Sequence, residues 1–217
     1  MKQFAVIGMG RFGTSVATTL HEMGNDVLVI DMNEERIEDI IDKVTYGVQA
    51  DATDEKAMKD VGLRNVDVVV IAIASNIQAS ILATLNAKEL GVKHVYAKAK
   101  NEQHRKVLYK IGADRVFSPE KEMGRKVAQI LVSDNIFEIM ELDTNHSIIE
   151  IRVLKKWVNK SLAEIDFRAK FGINILAIKR GEELNVSPFA EDVLHKDDIL
   201  LIIGDNAAIK KLKLNEE

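Results

Sequence analysis

Two hydrophobic patterns alternate over residues 1–118 of the chain. Short runs rich in Val and Ile, such as FAVIG, DVLVID and VDVVVIAI, are almost continuously apolar, which is typical of parallel strands buried on both faces. Between these runs, apolar residues recur three or four positions apart, which predicts amphipathic helices. The predicted helices cover residues 11–23, 33–43, 54–60, 76–90 and 102–110, and glycines that favour a helix end follow four of them, at Gly24, Gly62, Gly91 and Gly112.

This alternation predicts an α/β fold, a Rossmann-like doubly wound parallel sheet, over residues 1–118. Ser118 and Pro119 form a favourable helix start, so we expect a further amphipathic helix from Pro119 to about Val132. We assign residues 119–141 to linking or crossover helices. The sequence pattern changes after Asp134, where the run IFEIMEL is already strand-like.

A second, smaller α+β C-terminal lobe is predicted over residues 142–217. The runs SIIEIRV, INILAIKR, ELNVSP and DILLIIG are strand-like and are separated by short turns. One of these turns, around Arg180, Gly181 and Glu182, predicts a hairpin. The lobe is too small to be the substrate domain of an ordinary dehydrogenase.

Composition narrows the class of protein. The chain is 47% hydrophobic and 29% charged, as in ordinary soluble globular proteins, and its net charge of −4 argues against nucleic acid as a partner. It contains no cysteine, which excludes disulfides and thiolate chemistry. The chain opens directly on an apolar strand and has no run of roughly 18 apolar residues. We therefore expect no signal peptide and no membrane span, so that any link to a membrane runs through a partner protein.

The most informative short motif is VIGMGRFG, in which Gly8, Gly10 and Gly13 have the G-x-G-x-x-G spacing between a strand and a helix. Gly8 would allow the tight turn, Gly10 the close approach of a phosphate, and Gly13 the packing of helix on strand. The helix N-terminus that follows is suited to phosphate oxygens. The alternative is that these glycines serve turns only.

Asp31 ends the next predicted strand, 18 residues after Gly13, where a Rossmann site places the acid that accepts hydrogen bonds from ribose hydroxyls. An acid at this position disfavours NADP, because the 2′-phosphate is anionic. It does not separate NAD from ATP or ADP, which share the adenosine half. The alternative is that Asp31 only caps a helix.

Two further segments lie beyond strands at the edge of the sheet where ligands bind. In ADATDE, Asp51 or Ala52 is a candidate for nucleotide contact, although Thr53 or Asp54 would equally serve as the N-cap of the next helix. The segment after the fourth strand is predicted to close the pocket. Its residues are Ala74, Ser75 and Asn76.

Arg11 is the residue that separates the ligand classes. The helix dipole and backbone N–H groups often suffice for a pyrophosphate, whereas a triphosphate carries more charge near its end. A fixed cation at a helix start is disfavoured by the dipole, so we interpret Arg11 as a partner for terminal phosphate oxygens. No catalytic group is evident, because the histidines show neither metal-ligand spacing nor a nearby nucleophile motif. They are His21, His94, His104, His146 and His195.

The combination of VIGMGRFG, DMNEE, ADATD, IAIASNIQASILATL and KIGADRVFSPEKEMG resembles the RCK, or KTN, regulatory subunits of bacterial potassium uptake systems. The resemblance covers essentially the whole chain, including RAKFGINILAIKRG and VSP in the second lobe. Trk-type regulators carry two such units in tandem. A single unit in 217 residues is therefore similar to the Ktr type.

The resemblance implies a ligand set. Members bind ATP or ADP, and some relatives bind NAD or NADH. The Ktr-type arginine that matches Arg11 engages the terminal phosphate of ATP across a dimer interface. The phosphate loop matches Gly8, Gly10, Arg11 and Gly13, the ribose acid matches Asp31, and Phe12, Met32, Asn33 and Thr53 complete the predicted nucleotide-binding set with Asp51, Ala52, Ala74 and Asn76.

Two further sites follow from the resemblance alone. Glu120, in SPEKEMG, matches a carboxylate implicated in binding a calcium or magnesium ion near the ATP phosphates; without the family it would be interpreted as an acid that stabilises a helix N-terminus. Arg168, Asn174 and Pro188 lie in stretches similar to the cyclic di-AMP site of paired small lobes. They could equally satisfy backbone groups or end a strand.

The resemblance thus implies a cytoplasmic, non-enzymatic ATP/ADP sensor that gates a membrane potassium-translocating subunit of Ktr type. It would form homodimers that assemble into a homo-octameric ring, attached peripherally to the inner face of the cell membrane through the transporter. The alternatives are an NAD(H)-binding redox sensor, a small NAD-dependent oxidoreductase, and an interaction module in which nucleotide is only structural.

Overall fold

A computed structural model describes residues 2–132 and 135–213 of the chain. Residues 133–134 of the predicted linking segment and residues 214–217 of the predicted second lobe lie outside the described part. The chain divides into two compact units, Met1–Glu120 and Lys121–Glu217. The domain bounds given above from the sequence, at residues 118 and 141, remain predictions.

The first unit is a six-stranded sheet in which every neighbouring pair is parallel. The strand order β3-β2-β1-β4-β5-β6 is the doubly wound order, so the predicted fold class is confirmed. The strands are β1 (Gln3–Ile7), β2 (Asp26–Asp31), β3 (Tyr46–Gln49), β4 (Val68–Ile71), β5 (His94–Lys98) and β6 (Arg115–Phe117), and the helices are α1 (Arg11–Glu22), α2 (Glu34–Glu38), α3 (Glu55–Asp60), α4 (Ile77–Glu89) and α5 (Glu102–Lys110).

Both faces of this sheet are buried, as the continuous apolar runs predict. In β1, Ala5 and Ile7 belong to one hydrophobic cluster, while Val6 between them belongs to a second cluster together with Ala17 of α1. Successive strand residues point to opposite faces, so each strand contributes to two cores. The carboxyl ends of the strands are thereby held at one edge of a rigid sheet.

Helices end at the predicted glycines, but one predicted helix is shorter than expected. The four glycines predicted to end helices all have φ between 77° and 101°. The helix predicted over residues 33–43 ends at Glu38, and Ile41–Lys43 form a separate 3₁₀ turn. Two consecutive β-branched residues, Ile40 and Ile41, fall at this break, and β-branching lowers helix propensity.

The second unit contains an antiparallel five-stranded sheet in the order β10-β9-β11-β8-β7. The helix ends at Leu131, and Ile136–Glu141 form the strand that the run IFEIMEL indicates, paired antiparallel with the next strand, so the assignment of residues 119–141 to linking helices is wrong for its last part. The elements are α6 (Pro119–Leu131), β7 (Ile136–Glu141), β8 (His146–Arg152), α7 (Leu162–Ile165), α8 (Phe167–Phe171), β9 (Ile173–Arg180), β10 (Glu183–Asn185), β11 (Ile199–Asp205) and α9 (Asn206–Lys213).

This smaller lobe has its own aromatic core. The ring of Trp157, the single tryptophan of the chain, lies edge-on to Phe167 with centroids 4.7 Å apart. The predicted hairpin is confirmed, since Arg180 pairs with Glu183 across a two-residue turn in which Gly181 has φ 59°. Within residues 2–132 and 135–213, no helix is long and apolar enough to cross a bilayer.

His104 of α5 is a buried titratable residue close to the carboxyl end of β5. Its side chain is 2% exposed, its Nδ1 accepts a hydrogen bond from the backbone N–H of Lys100 at 3.2 Å, and its Nε2 has no partner in the described part of the chain. Burial lowers the pKa of His104 below its ordinary value, because the charged imidazolium is poorly solvated there.

We expect the stability of the first unit to fall as the pH falls from about 6.5, the unfolded pKa of histidine, through the lower folded pKa of His104. The reason is that the unfolded chain takes up the proton at a higher pH than the folded chain does. The free energy of unfolding, measured with urea at several pH values, should depend less steeply on pH in His104→Gln than in the wild type. The exposed His21→Gln is the control, and an equal slope in all three proteins would contradict the prediction.

Candidate nucleotide-binding site

The loop between β1 and α1 is built by its glycines. Gly8 has φ 98°, and a Cβ on it would lie 2.9 Å from Cγ1 of Ile73. A Cβ on Gly13 would lie 2.0 Å from the carbonyl oxygen of Gly8, so helix and strand approach as closely as the spacing predicts. A Cβ on Gly10 would meet nothing within 4 Å, which leaves open space above the start of α1.

Asp31, at the end of β2, holds this loop in place through a hydrogen bond. Its side chain is 6% exposed, and Oδ2 accepts a hydrogen bond of 2.6 Å from the backbone N–H of Met9. Oδ1 accepts one from the backbone N–H of Asn33 at 2.9 Å. A carboxylate has about four acceptor positions, so Asp31 retains capacity for ribose hydroxyls while it holds the loop.

A cleft of about 320 Å³ lies at the carboxyl edge of the sheet. The strand order reverses between β1 and β4, and open α/β sheets bind ligands at this point. Many residues predicted from the sequence meet in the cleft. Its lining includes Gly8, Gly10, Asp31, Met32, Asp51, Ala52, Thr53, Ala74, Ser75 and Asn76.

The segment after β3 is ordered by its own side chains. Asp51 Oδ1 accepts hydrogen bonds from the backbone N–H and the hydroxyl of Thr53, and Asp54 is the residue that caps α3, through the N–H groups of Lys56 and Ala57. Thr53 is therefore not the cap. Asn76 caps α4 by accepting from the N–H of Ala79 at 3.1 Å.

Four predicted nucleotide-binding residues do not line the cleft. Gly13 lies beneath the loop, and Asn33 caps α2 by accepting from the N–H of Arg36 at 3.4 Å. Phe12 packs against the core on the α1 face of the sheet. Arg11 is exposed at the first position of α1, directly after Gly10 at the cleft.

Two basic residues that line the cleft were missed from the sequence. Arg36 of α2 has Nη1 3.5 Å from Oδ2 of Asp31, and its side chain is 55% exposed. Lys98 is the last residue of β5, and its side chain is 12% exposed. The signal that could have found Lys98 is its position, because it ends a strand at the ligand-binding edge.

Glu120, the predicted metal ligand, is paired with Lys98. Its Oε1 lies 2.5 Å from Nζ of Lys98. The hydrogen bond from Lys98 lowers the pKa of Glu120, and the charges of Lys98 and Arg11 lower it further, so this carboxyl is ionised at neutral pH. Arg11, Lys98 and Glu120 thus form a charged group beside the glycine loop, at one end of the cleft.

A divalent cation at Glu120 would find few ligands from the protein. Among the described residues, no group of three or more histidine, aspartate and glutamate side chains is placed to hold a metal. Glu120 is 73% exposed and offers one hard oxygen ligand. Magnesium is commonly held by one or two carboxylates together with ligand phosphates, so Glu120 fits such an ion only if phosphate oxygens complete the coordination.

The three residues predicted for cyclic di-AMP lie on separate elements of the second lobe. Arg168 is exposed on α8, Asn174 is exposed on β9, and Pro188 is half-buried in the segment after β10. Only Arg168 and Asn174 are close along the chain, on either side of the turn at Gly172, which has φ 70°.

The fold is of the Rossmann-like nucleotide-binding class, followed by a small α+β lobe. The TrkA-N domain model matches residues 4–119, and the TrkA-C domain model matches residues 147–215. The chain belongs to the TrkA-N/TrkA-C family, as an RCK regulatory subunit of the Ktr potassium uptake type. The predicted family is therefore confirmed.

Relatives in sequence support this assignment, and a solved structure shares the fold. The chain is 46% identical to Ktr system potassium uptake protein C of Bacillus subtilis and 44% identical to protein A of the same organism, each over 98% of this chain and 96% of the relative. The GsuK channel bound to NAD superposes on all of this chain with a TM-score of 0.69 at 16% identity. This chain spans 39% of the length of that channel, and the likeness shows the fold alone.

Proposed function

We propose that this chain senses the ratio of ATP to ADP and gates a membrane potassium-translocating subunit of Ktr type. The relatives that share nearly its whole length are named as Ktr potassium uptake proteins. The observation that carries nucleotide binding is the cleft at the point where the strand order reverses, with Gly8 and Gly10 at one end and the buried Asp31 beside them. An adenosine ribose on Asp31 would direct its phosphates toward the glycine loop.

The charged group at the phosphate end supports a nucleotide with several phosphates. Arg11 and Lys98 supply two cations next to the N-terminus of α1, which itself favours anions. ATP and ADP differ by one terminal phosphate, so a contact from Arg11 to that phosphate, made across a dimer interface, supplies a difference in affinity. Such a difference is what shifts a conformational equilibrium.

The assembly and the remaining ligands are part of the same proposal. The chain pairs through its Rossmann lobes, the dimers form an octameric ring beneath the transporter, and calcium or magnesium binds at Glu120 with the ATP phosphates. Cyclic di-AMP binds the paired small lobes near Arg168, Asn174 and Pro188. The chain thus regulates transport and carries out no catalysis of its own.

Arg11→Ala tests the sensor. We expect the affinity for ATP to fall about tenfold and the affinity for ADP to change little, because one charge-assisted hydrogen bond to the terminal phosphate is lost. Calorimetry on the full chain measures both. Arg64→Ala, an exposed arginine away from the cleft, is the control. A wild type without preference for ATP, or a preference that survives Arg11→Ala, would refute the sensor.

NAD(H) binding is the second candidate. It is favoured by Asp31, which suits the ribose of NAD as well as that of ATP, and by the NAD-bound state of the GsuK channel. Calorimetry with NAD and NADH separates the two, since a redox sensor would bind these more tightly than ATP. If solution scattering gives one ring shape with ATP, ADP and no ligand, nucleotide is structural and the chain is an interaction module.

A further inference from the structure

The ion pair between Lys98 and Glu120 involves two side chains in very different surroundings. Lys98 is 12% exposed and lines the cleft, whereas Glu120 is 73% exposed at the start of α6. The ammonium group also lies 5.4 Å from the ring centroid of Phe12. Lys98 is therefore a largely buried cation that pairs with Glu120 and also lines the open cleft.

A lysine ammonium is a compact cation with three donors on a flexible stem. It can turn from one anion to another without a change in the backbone. Nucleotide phosphates in the cleft would offer it several oxygens of higher charge than one carboxylate. The exposed Glu120 loses little when it is left to water, because an ion pair with a solvent-exposed partner is weak.

We propose that Lys98 exchanges Glu120 for a phosphate oxygen when a nucleotide binds, so that the ion pair is a latch that the ligand opens. This inference rests on the proposed function and identifies a second phosphate-binding cation beside Arg11. The exchange leaves Glu120 without its cation partner. A metal ion at Glu120 would accordingly arrive together with the nucleotide.

A series of adenine ligands tests the contact between Lys98 and phosphate. Calorimetry on the full chain in EDTA compares adenosine, AMP, ADP and ATP for the wild type, Lys98→Met and Lys100→Met, a neighbouring exposed lysine. Lys98→Met is expected to leave the affinity for adenosine unchanged. It should lower the affinity about tenfold or more for every ligand of the series that carries the phosphate that Lys98 contacts. The Lys100→Met variant is expected to match the wild type.

A second variant tests the exchange and leaves Lys98 in place. Glu120→Asp keeps the negative charge but shortens its reach, so the latch is weaker while the local charge is the same. In EDTA this variant is expected to bind ADP and ATP about two- to fivefold more tightly than the wild type, because less of the ion pair has to be broken. Adenosine affinity should be equal in the two proteins.

The outcomes separate this inference from the proposed function. If the wild type binds the nucleotides and Lys98→Met loses affinity equally for adenosine and ATP, or for neither, Lys98 contacts no phosphate. If Glu120→Asp binds ATP no more tightly than the wild type, the two anions do not compete. Either result overturns the latch and leaves nucleotide sensing intact, whereas a wild type that binds none of the four ligands overturns both.

Discussion

Gly13→Ala is expected to abolish nucleotide binding and to destabilise the first unit by about 3 kcal/mol or more. The new methyl group would lie 2.0 Å from the carbonyl oxygen of Gly8, and a backbone atom cannot turn away as a flexible side chain can. Helix α1 would have to move off the sheet, which displaces the loop at the phosphate end of the cleft. Calorimetry with ATP and thermal unfolding of the full chain measure the two effects.

Gly10→Ala is the matched variant in the same loop. Its methyl group meets nothing within 4 Å, so the fold should be nearly as stable as that of the wild type. The same methyl group points into space that a phosphate would use, so ATP affinity should still fall. Equal stability of Gly13→Ala and Gly10→Ala would show that the close approach of α1 is not as tight as described.

Arg180→Ala is expected to destabilise the second lobe by about 3 kcal/mol, the lower end of the range for breaking a buried ion pair, because Arg180 itself is 48% exposed. Its guanidinium donates two hydrogen bonds of 2.8 Å to Asp198, which is 1% exposed. Burial alone would raise the pKa of Asp198, but the hydrogen bonds from Arg180 and from the backbone N–H of His195 lower it. The variant would leave this carboxylate buried without its cation.

The fluorescence of Trp157 measures this prediction, because the only tryptophan of the chain lies in the core of the second lobe. Urea unfolding should show a lower free energy of unfolding of the second lobe in Arg180→Ala than in the wild type. Arg125→Ala is the control, since Arg125 is 63% exposed and pairs with Glu141 at the surface, where an ion pair contributes under about 1 kcal/mol. Similar losses in both variants would contradict the role given to burial.

The first unit could be predicted from its sequence because local signals and tertiary structure agree there. Three features can each be recognised from a short stretch of sequence, because each has a single physical cause. They are the apolar runs buried on both faces, the glycines with positive φ, and the loop of Gly8 and Gly13. Asp31 follows from the same logic, since a fixed spacing places it at the end of β2. The assignment of residues 119–141 to linking helices was wrong for residues 136–141, although the apolar alternation of that segment itself indicates a strand.

Two basic residues that line the cleft, Lys98 and Arg36, could not be predicted in the same way. Lys98 has no motif around it, and only the position of β5 next to β4 in the sheet brings it to the cleft. Arg36 lies five residues after Asp31 on the short helix α2, and an exposed arginine is common on a helix surface. The pair of Arg180 and Asp198 joins residues 18 positions apart on different elements, so no local pattern reports it.

The hydrogen bond from the N–H of Met9 to Asp31 limits how this site can evolve. In many Rossmann proteins a change at the ribose acid is a short route to a ligand with a 2′-phosphate. Here the same carboxylate also anchors the glycine loop at 2.6 Å, so losing it would loosen the site before any new ligand was gained. A lineage that abandoned Asp31 would first need another anchor for Met9, so any preference for an unphosphorylated ribose set by Asp31 would be hard to reverse by a single substitution.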